Sequence, residues 1–159
     1  MRRPQLSGDR VQSRWWYWIA AVPIVFVFWL VTVAWVAFAM SIDPSFVGDS
    51  APSFFVRLLV AIPHATVVSL VAVGIPFAVL IAILPLAVFQ DTVAINRAET
   101  GWEPSSRNFA LSGLLGLIAA VVVGIFTIDI SLAIIAGFVL SVPFALYYLR
   151  ERHEKLGVP

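Results

Sequence analysis

The chain has 159 residues, 61% of them hydrophobic and only 12% charged, with ten basic side chains nearly cancelled by nine acidic ones. That is about half the charge of an ordinary soluble domain and excludes a water-soluble fold. Because there is no cysteine, a disulfide framework, a thiolate metal site and a thiol nucleophile are excluded as well.

The first fourteen residues carry Arg2, Arg3, Arg10 and Arg14 and read as a basic N-terminal segment. An uncharged apolar tract follows from Trp15 to Met40, long enough for one crossing, which needs about 20 residues. Basic residues ahead of an apolar run that ends in "AFAMS" also suit a signal peptide. The run from Trp15 to Phe38, however, exceeds the roughly 7 to 15 residues of a signal core, so an uncleaved first helix is expected. The pair Arg2 and Arg3 is read as a topology signal.

The second tract runs from Leu58 to Gln90 with His64 as its sole titratable group. It opens "RLLVAIPHATVV", in which Arg57 and His64 stand about two helical turns apart. Counting roughly 20 apolar residues back from Asp91 reaches only Val68 to Val71, so His64 is expected at or beyond the outer membrane boundary. Pro63 suits a first helical turn, and "RLLVAIP" is expected to lie along the outer surface or to form a separate turn. Pro76, close after Gly74, is the leading candidate for a kink; Pro23, Pro85 and Pro143 also lie inside apolar tracts.

The third tract, Phe109 to Leu149, holds one charge, Asp129, near its middle. As a single helix it would be roughly 60 Å long, twice the hydrocarbon thickness, so it must fold back on itself. Small residues recur at every fourth position on both sides of that turn: Ser112, Gly116, Ala120 and Gly124, then Ala133, Gly137, Ser141 and Ala145. Two such ladders let backbones approach closely, which supplies much of the attraction between helices in lipid. A tight antiparallel hairpin of helices 3 and 4 is the expected packing.

The fold is therefore expected to be an all-α membrane protein with four transmembrane helices at about 15–40, 64–89, 109–127 and 131–149, in one domain spanning 1–159. Segments 1–14 and 150–159 flank it. With both termini cytoplasmic, nine of the ten basic residues fall inside and only Arg57 outside, the asymmetry that sets orientation. Trp15, Trp16, Tyr17, Trp18, Trp102, Tyr147 and Tyr148 are expected to anchor the membrane interface. The loop "DTVAINRAETGWEPSSRN" joins helices 2 and 3, and its Val93, Ile95 and Trp102 are expected to dock at that interface. Beyond the last crossing the helix is expected to continue, since Arg150 with Glu154 and Glu151 with Lys155 are four apart, and to end at Gly157.

One candidate site follows from this placement. Arg57, His64 and Asp129 all fall on the outer side and form a candidate polar cluster, in which Asp129 also suits the N-cap of the fourth helix. His64 there would change charge near neutral pH. No phosphate-cradling glycine loop and no paired-histidine zinc motif occurs, and His153 lies in the tail, away from His64. No catalytic residue, metal site or cofactor is expected.

The segment "YYLRERHEKLGVP", preceded by "SVPFAL" (residues 141–159), and the "WEP" of residues 102–104 resemble parts of small multi-pass membrane proteins of haloarchaea. The resemblance implies a multi-pass membrane protein and no functional residue. The function expected is a non-enzymatic accessory or structural subunit of a cell-membrane assembly, alone or as a homo-oligomer. Its partners would be the bilayer and other membrane proteins, with no nucleic acid. An alternative is a small oligomeric transporter or channel element, for which Thr66 and Ser69 are the polar hint; an intramembrane lipid-processing enzyme comes third.

Overall fold

The computed structural model describes residue 11 and residues 13–42 and 53–157. Helices account for 88% of these, and none of the described residues is in a strand. The elements are α1 (Trp16–Ile42), α2 (Phe54–Arg97), α3 (Ser106–Thr127) and α4 (Ile130–Leu156). Four stretches are long and apolar enough to cross a membrane: Trp16–Ile42, Ala72–Arg97, Ser106–Thr127 and Ile130–Leu156. In such an environment a helix is favoured because it satisfies every backbone donor and acceptor internally. Arg2, Arg3 and Arg10, which weigh in the topology argument, lie outside the described residues.

Helix α2 departs from the expected bounds at both ends. Its 44 residues include "RLLVAIP", so this stretch is helix continuous with the rest of α2 and not a separate turn. A proline inside a helix removes only one backbone bond, and in apolar surroundings the neighbouring groups gain most by staying helical. Phe54–Leu70 forms an apolar piece ahead of the spanning stretch and contains His64. At the other end "DTVAINR" is helix rather than loop. No glycine or proline interrupts it before Gly101, and Arg97 in the last turn complements the negative end of the helix dipole. Asn96 Nδ2 donates to Pro104 O at 3.1 Å, drawing the shortened loop back onto the helix end. Ile95, expected to dock at the interface, is instead fully buried.

The chain divides into two compact units, Ile24–Phe77 and the remainder, Met1–Pro23 with Ala78–Pro159. Within Ile24–Phe77, Ala37, Ala61 and Ala65 form a core cluster against which Val33, Val36, Met40 and Leu58 pack. Alanine on both helices permits close backbone approach. Trp29 is buried, so its indole N–H needs a partner, and it donates to Ser69 Oγ at 3.0 Å. Ser69 in turn donates to Thr66 O at 2.9 Å.

In the other unit α3 and α4 lie in contact, joined by Ile128 and Asp129. A methyl group at Gly116 would overlap Ser141 Oγ and come within 3.2 Å of Gly137 O; one at Gly124 would stand 3.3 Å from Ala133 Cβ. Gly113, outside the ladder, faces Phe144 and the Pro85 backbone at 3.3 and 3.4 Å in the same sense. Ile128 turns the chain in the left-handed region, with φ 53° and ψ 23°. Asp129 then caps α4, its Oδ1 accepting from Ser131 N at 2.8 Å and Leu132 N at 3.2 Å. At the far end the α4 helix runs through Leu156, and Gly157, at φ 78°, donates to His153 O at 3.0 Å.

Candidate functional site

The strongest polar arrangement among the described residues joins α2 to α4. Asp91 follows the apolar tract of α2 directly, and Tyr148 and Arg152 stand four apart on α4, so they project from one face. Tyr148 Oη donates to Asp91 Oδ2 at 2.8 Å, and Arg152 Nε donates to the same oxygen at 3.0 Å. Asp91 and Tyr148 are 0% exposed and Arg152 5%. Among the described residues Asp91 Oδ1 has no hydrogen-bond partner.

Aromatic rings and apolar side chains enclose this centre. Arg152 Cζ lies 5.7 Å from the Trp16 ring centroid, a cation-π distance. Phe109, from α3, meets Tyr148 edge-on at 5.4 Å between centroids. All four helices thus contribute to one centre, and within it the guanidinium has a carboxylate on one side and a ring face on another. Burying an ion pair is costly, and the attraction offsets that cost only where the geometry is good and further hydrogen bonds satisfy the charges. Here a hydroxyl supplies the second donor. What the arrangement does chemically is lock the beginning of the C-terminal extension of α4 against α2.

None of the three is expected here from the sequence: Asp91 marks a membrane edge, Arg152 counts towards topology, and Tyr148 is expected in the interfacial aromatic belt. The structure corrects the last of these: Tyr148 is buried against Asp91 and Phe109, whereas neighbouring Tyr147 is exposed. The signal available was the four-residue spacing of Tyr148 and Arg152 together with a carboxylate set at the end of an apolar tract, which requires a cation once it is buried. The expected pair Arg150 and Glu154 is formed, at 2.7 Å between exposed side chains.

Of the other expected anchors, Trp15, Trp16 and Trp102 are half-buried while Tyr17 and Trp18 are exposed. Trp16 stacks on Tyr17 at 3.9 Å between centroids, and Trp102 meets Phe109 edge-on at 6.5 Å.

Arg57 and His64 belong to the unit Ile24–Phe77 and Asp129 to the other. Arg57 is half-buried on the first turns of α2. His64 is exposed, its Nδ1 donating to Val60 O one turn earlier at 3.1 Å. It lines a cavity of about 430 Å³ whose remaining walls are Met40, Val60, Ala61, Pro63, Val67 and Val68. A single imidazole in an apolar recess offers one titratable group and no second ligand for a metal. Among the described residues no three His, Asp or Glu side chains converge on a metal-binding geometry. Comparison with known proteins finds no family model, no curated protein and no solved structure that matches the chain.

Proposed function

We propose that the chain is a multi-pass protein of the cell membrane that acts as a non-enzymatic accessory or structural subunit of a membrane assembly. The observation that carries this reading is the closure of the Asp91 centre. Its carboxylate, guanidinium and phenol are all buried and directed at one another, so the strongest polar arrangement holds helices together and presents nothing to a substrate. Four helices able to span a membrane surround or extend from it. Only short described segments lie between them, chiefly 98–105 and 128–129, so partners are met mainly within the bilayer.

The finer topology belongs to the same proposal. Both termini are cytoplasmic, an orientation supported by the distribution of Arg and Lys. Helices α3 and α4 make a tight antiparallel hairpin, a packing supported by the closeness of Gly116 to Ser141 and of Gly124 to Ala133. Pro76 bends α2.

A transport role draws less support. Its polar hint, Thr66 and Ser69, is engaged internally: Thr66 Oγ1 donates to Ile62 O at 2.8 Å, and Ser69 holds Trp29. Purification in mild detergent with mass analysis of the intact complex tests the assignment. Co-purification of a different membrane protein in fixed ratio is the expected result. A closed ring of identical copies would instead favour the transport alternative.

A further inference from the structure

A second polar feature lies where the N-terminal approach to α1 meets the end of α2. Ser13, Arg14, Trp15, Gln90, Arg97 and Val93 line a cavity of about 400 Å³ there. Two guanidinium groups reach it, and among the described residues no carboxylate lines it. Asp91, next in sequence to Gln90, cannot serve as the counter-ion, because its carboxylate is buried and held by Arg152 and Tyr148. Among the described residues neither Arg14 nor Arg97 forms an ion pair. Two like charges at one cavity repel each other, and an anion between them would remove that repulsion and gain attraction from both.

The approach to α1 is held in place locally. Ser13 is buried, and its Oγ accepts from Trp15 N at 3.3 Å. The first turn of α1 carries no acidic residue, which leaves the positive end of its dipole facing an anion unopposed. Gln90 adds an amide donor. The cavity also sits at the limits of two spanning stretches, one beginning at Trp16 and the other ending at Arg97, beside the aromatic run Trp15 to Trp18. That is headgroup depth in either orientation of the chain.

We propose that this cavity is a binding site for a phosphate group, with Arg14 and Arg97 as its charged ligands and Gln90 as a neutral donor. Basic pockets between membrane helices at this depth commonly hold acidic headgroups. The phosphate is carried either by an anionic phospholipid or by free inorganic phosphate. The site depends on the chain lying in a membrane and not on any enzymatic or accessory role.

The test uses the full chain purified in a neutral detergent, with thermal unfolding and native mass spectrometry as readouts. Titrating phosphatidylglycerol should raise the unfolding temperature saturably and leave a retained lipid adduct, whereas phosphatidylcholine should do neither. Arg14→Gln and Arg97→Gln should each weaken the apparent affinity about fivefold, which is the roughly 1 kcal/mol that each basic side chain near a membrane surface contributes to acidic lipid binding. Arg107→Gln removes the same charge outside the cavity and should leave the titration unchanged. Inorganic phosphate forms the second arm. If it saturates the site and competes with the lipid, the ligand is a free phosphate; if it has no effect while phosphatidylglycerol binds, the ligand is a headgroup. The proposal is overturned if neither probe binds, if the variant carrying both Arg14→Gln and Arg97→Gln titrates like the parent, or if Arg107→Gln weakens binding as much as Arg14→Gln.

Discussion

Asp91 and Arg152, 61 residues apart in sequence, meet at 3.0 Å with the carboxylate fully buried and the guanidinium nearly so. Removing one member of such a pair leaves an uncompensated charge in a medium that solvates it poorly. Asp91→Ala should therefore destabilise the protein by roughly 3–5 kcal/mol. The double replacement Asp91→Leu with Arg152→Met removes both charges together and should recover most of that loss. Thermal unfolding of the three variants in one detergent decides the matter. A double variant no more stable than Asp91→Ala would mean that the pair is not the source of the effect.

Tyr148→Phe isolates the hydroxyl. The ring keeps its edge contact with Phe109, and what is lost is the 2.8 Å bond to Asp91. A carboxylate oxygen that loses one of two donors in a buried site should cost on the order of 1–3 kcal/mol. Unfolding in denaturant or on heating would show this directly; an unchanged midpoint would imply that water replaces the hydroxyl.

The contact between α3 and α4 makes a prediction with two opposite signs. Gly116→Leu forces a large side chain against Ser141 and the Gly137 backbone, and overpacking of this kind should cost about 1–3 kcal/mol. Ser141→Ala should do no harm. The Ser141 Oγ is buried and, among the described residues, has no hydrogen-bond partner, so its removal should be neutral or stabilising by up to about 1 kcal/mol. Losing stability in Ser141→Ala would reveal a partner for that hydroxyl.

Ile128 is a β-branched residue at φ 53° and is 90% exposed. The left-handed region costs such a residue roughly 1–2 kcal/mol, whereas asparagine tolerates it. Ile128→Asn should therefore raise the unfolding temperature by a few degrees while leaving helix content unchanged by circular dichroism. A fall in stability would show that the isoleucine side chain contributes more through its surroundings than its backbone conformation costs.

Different parts of the structure were legible to different degrees. The four apolar stretches could be read because a bilayer asks each crossing for about 20 apolar residues and leaves charges between them. The cap at Asp129 and the stop at Gly157 were legible for a local reason: both depend on backbone geometry within a few residues. Boundaries were less so. The extension of α2 over 54–63 and 90–97 rests on the lack of any group that would stop a helix, whereas Pro63 carries the local signal of a helix start.

The Trp29 to Ser69 bond and the Asp91 centre were hidden for another reason. Each joins residues on different helices, 40 and 61 positions apart, and hydropathy carries no information about which faces meet. From the sequence alone came the all-helical class and the number of stretches able to cross a membrane, because these follow from the cost of placing charge and open backbone in hydrocarbon. Only the tertiary structure decided that Arg152 of the tail and Asp91 at the end of α2 are one buried pair, and that Tyr148 serves that pair and not the membrane surface. The physical reason is that a buried charge must find its partner in space, and helix packing alone determines which residue that partner is.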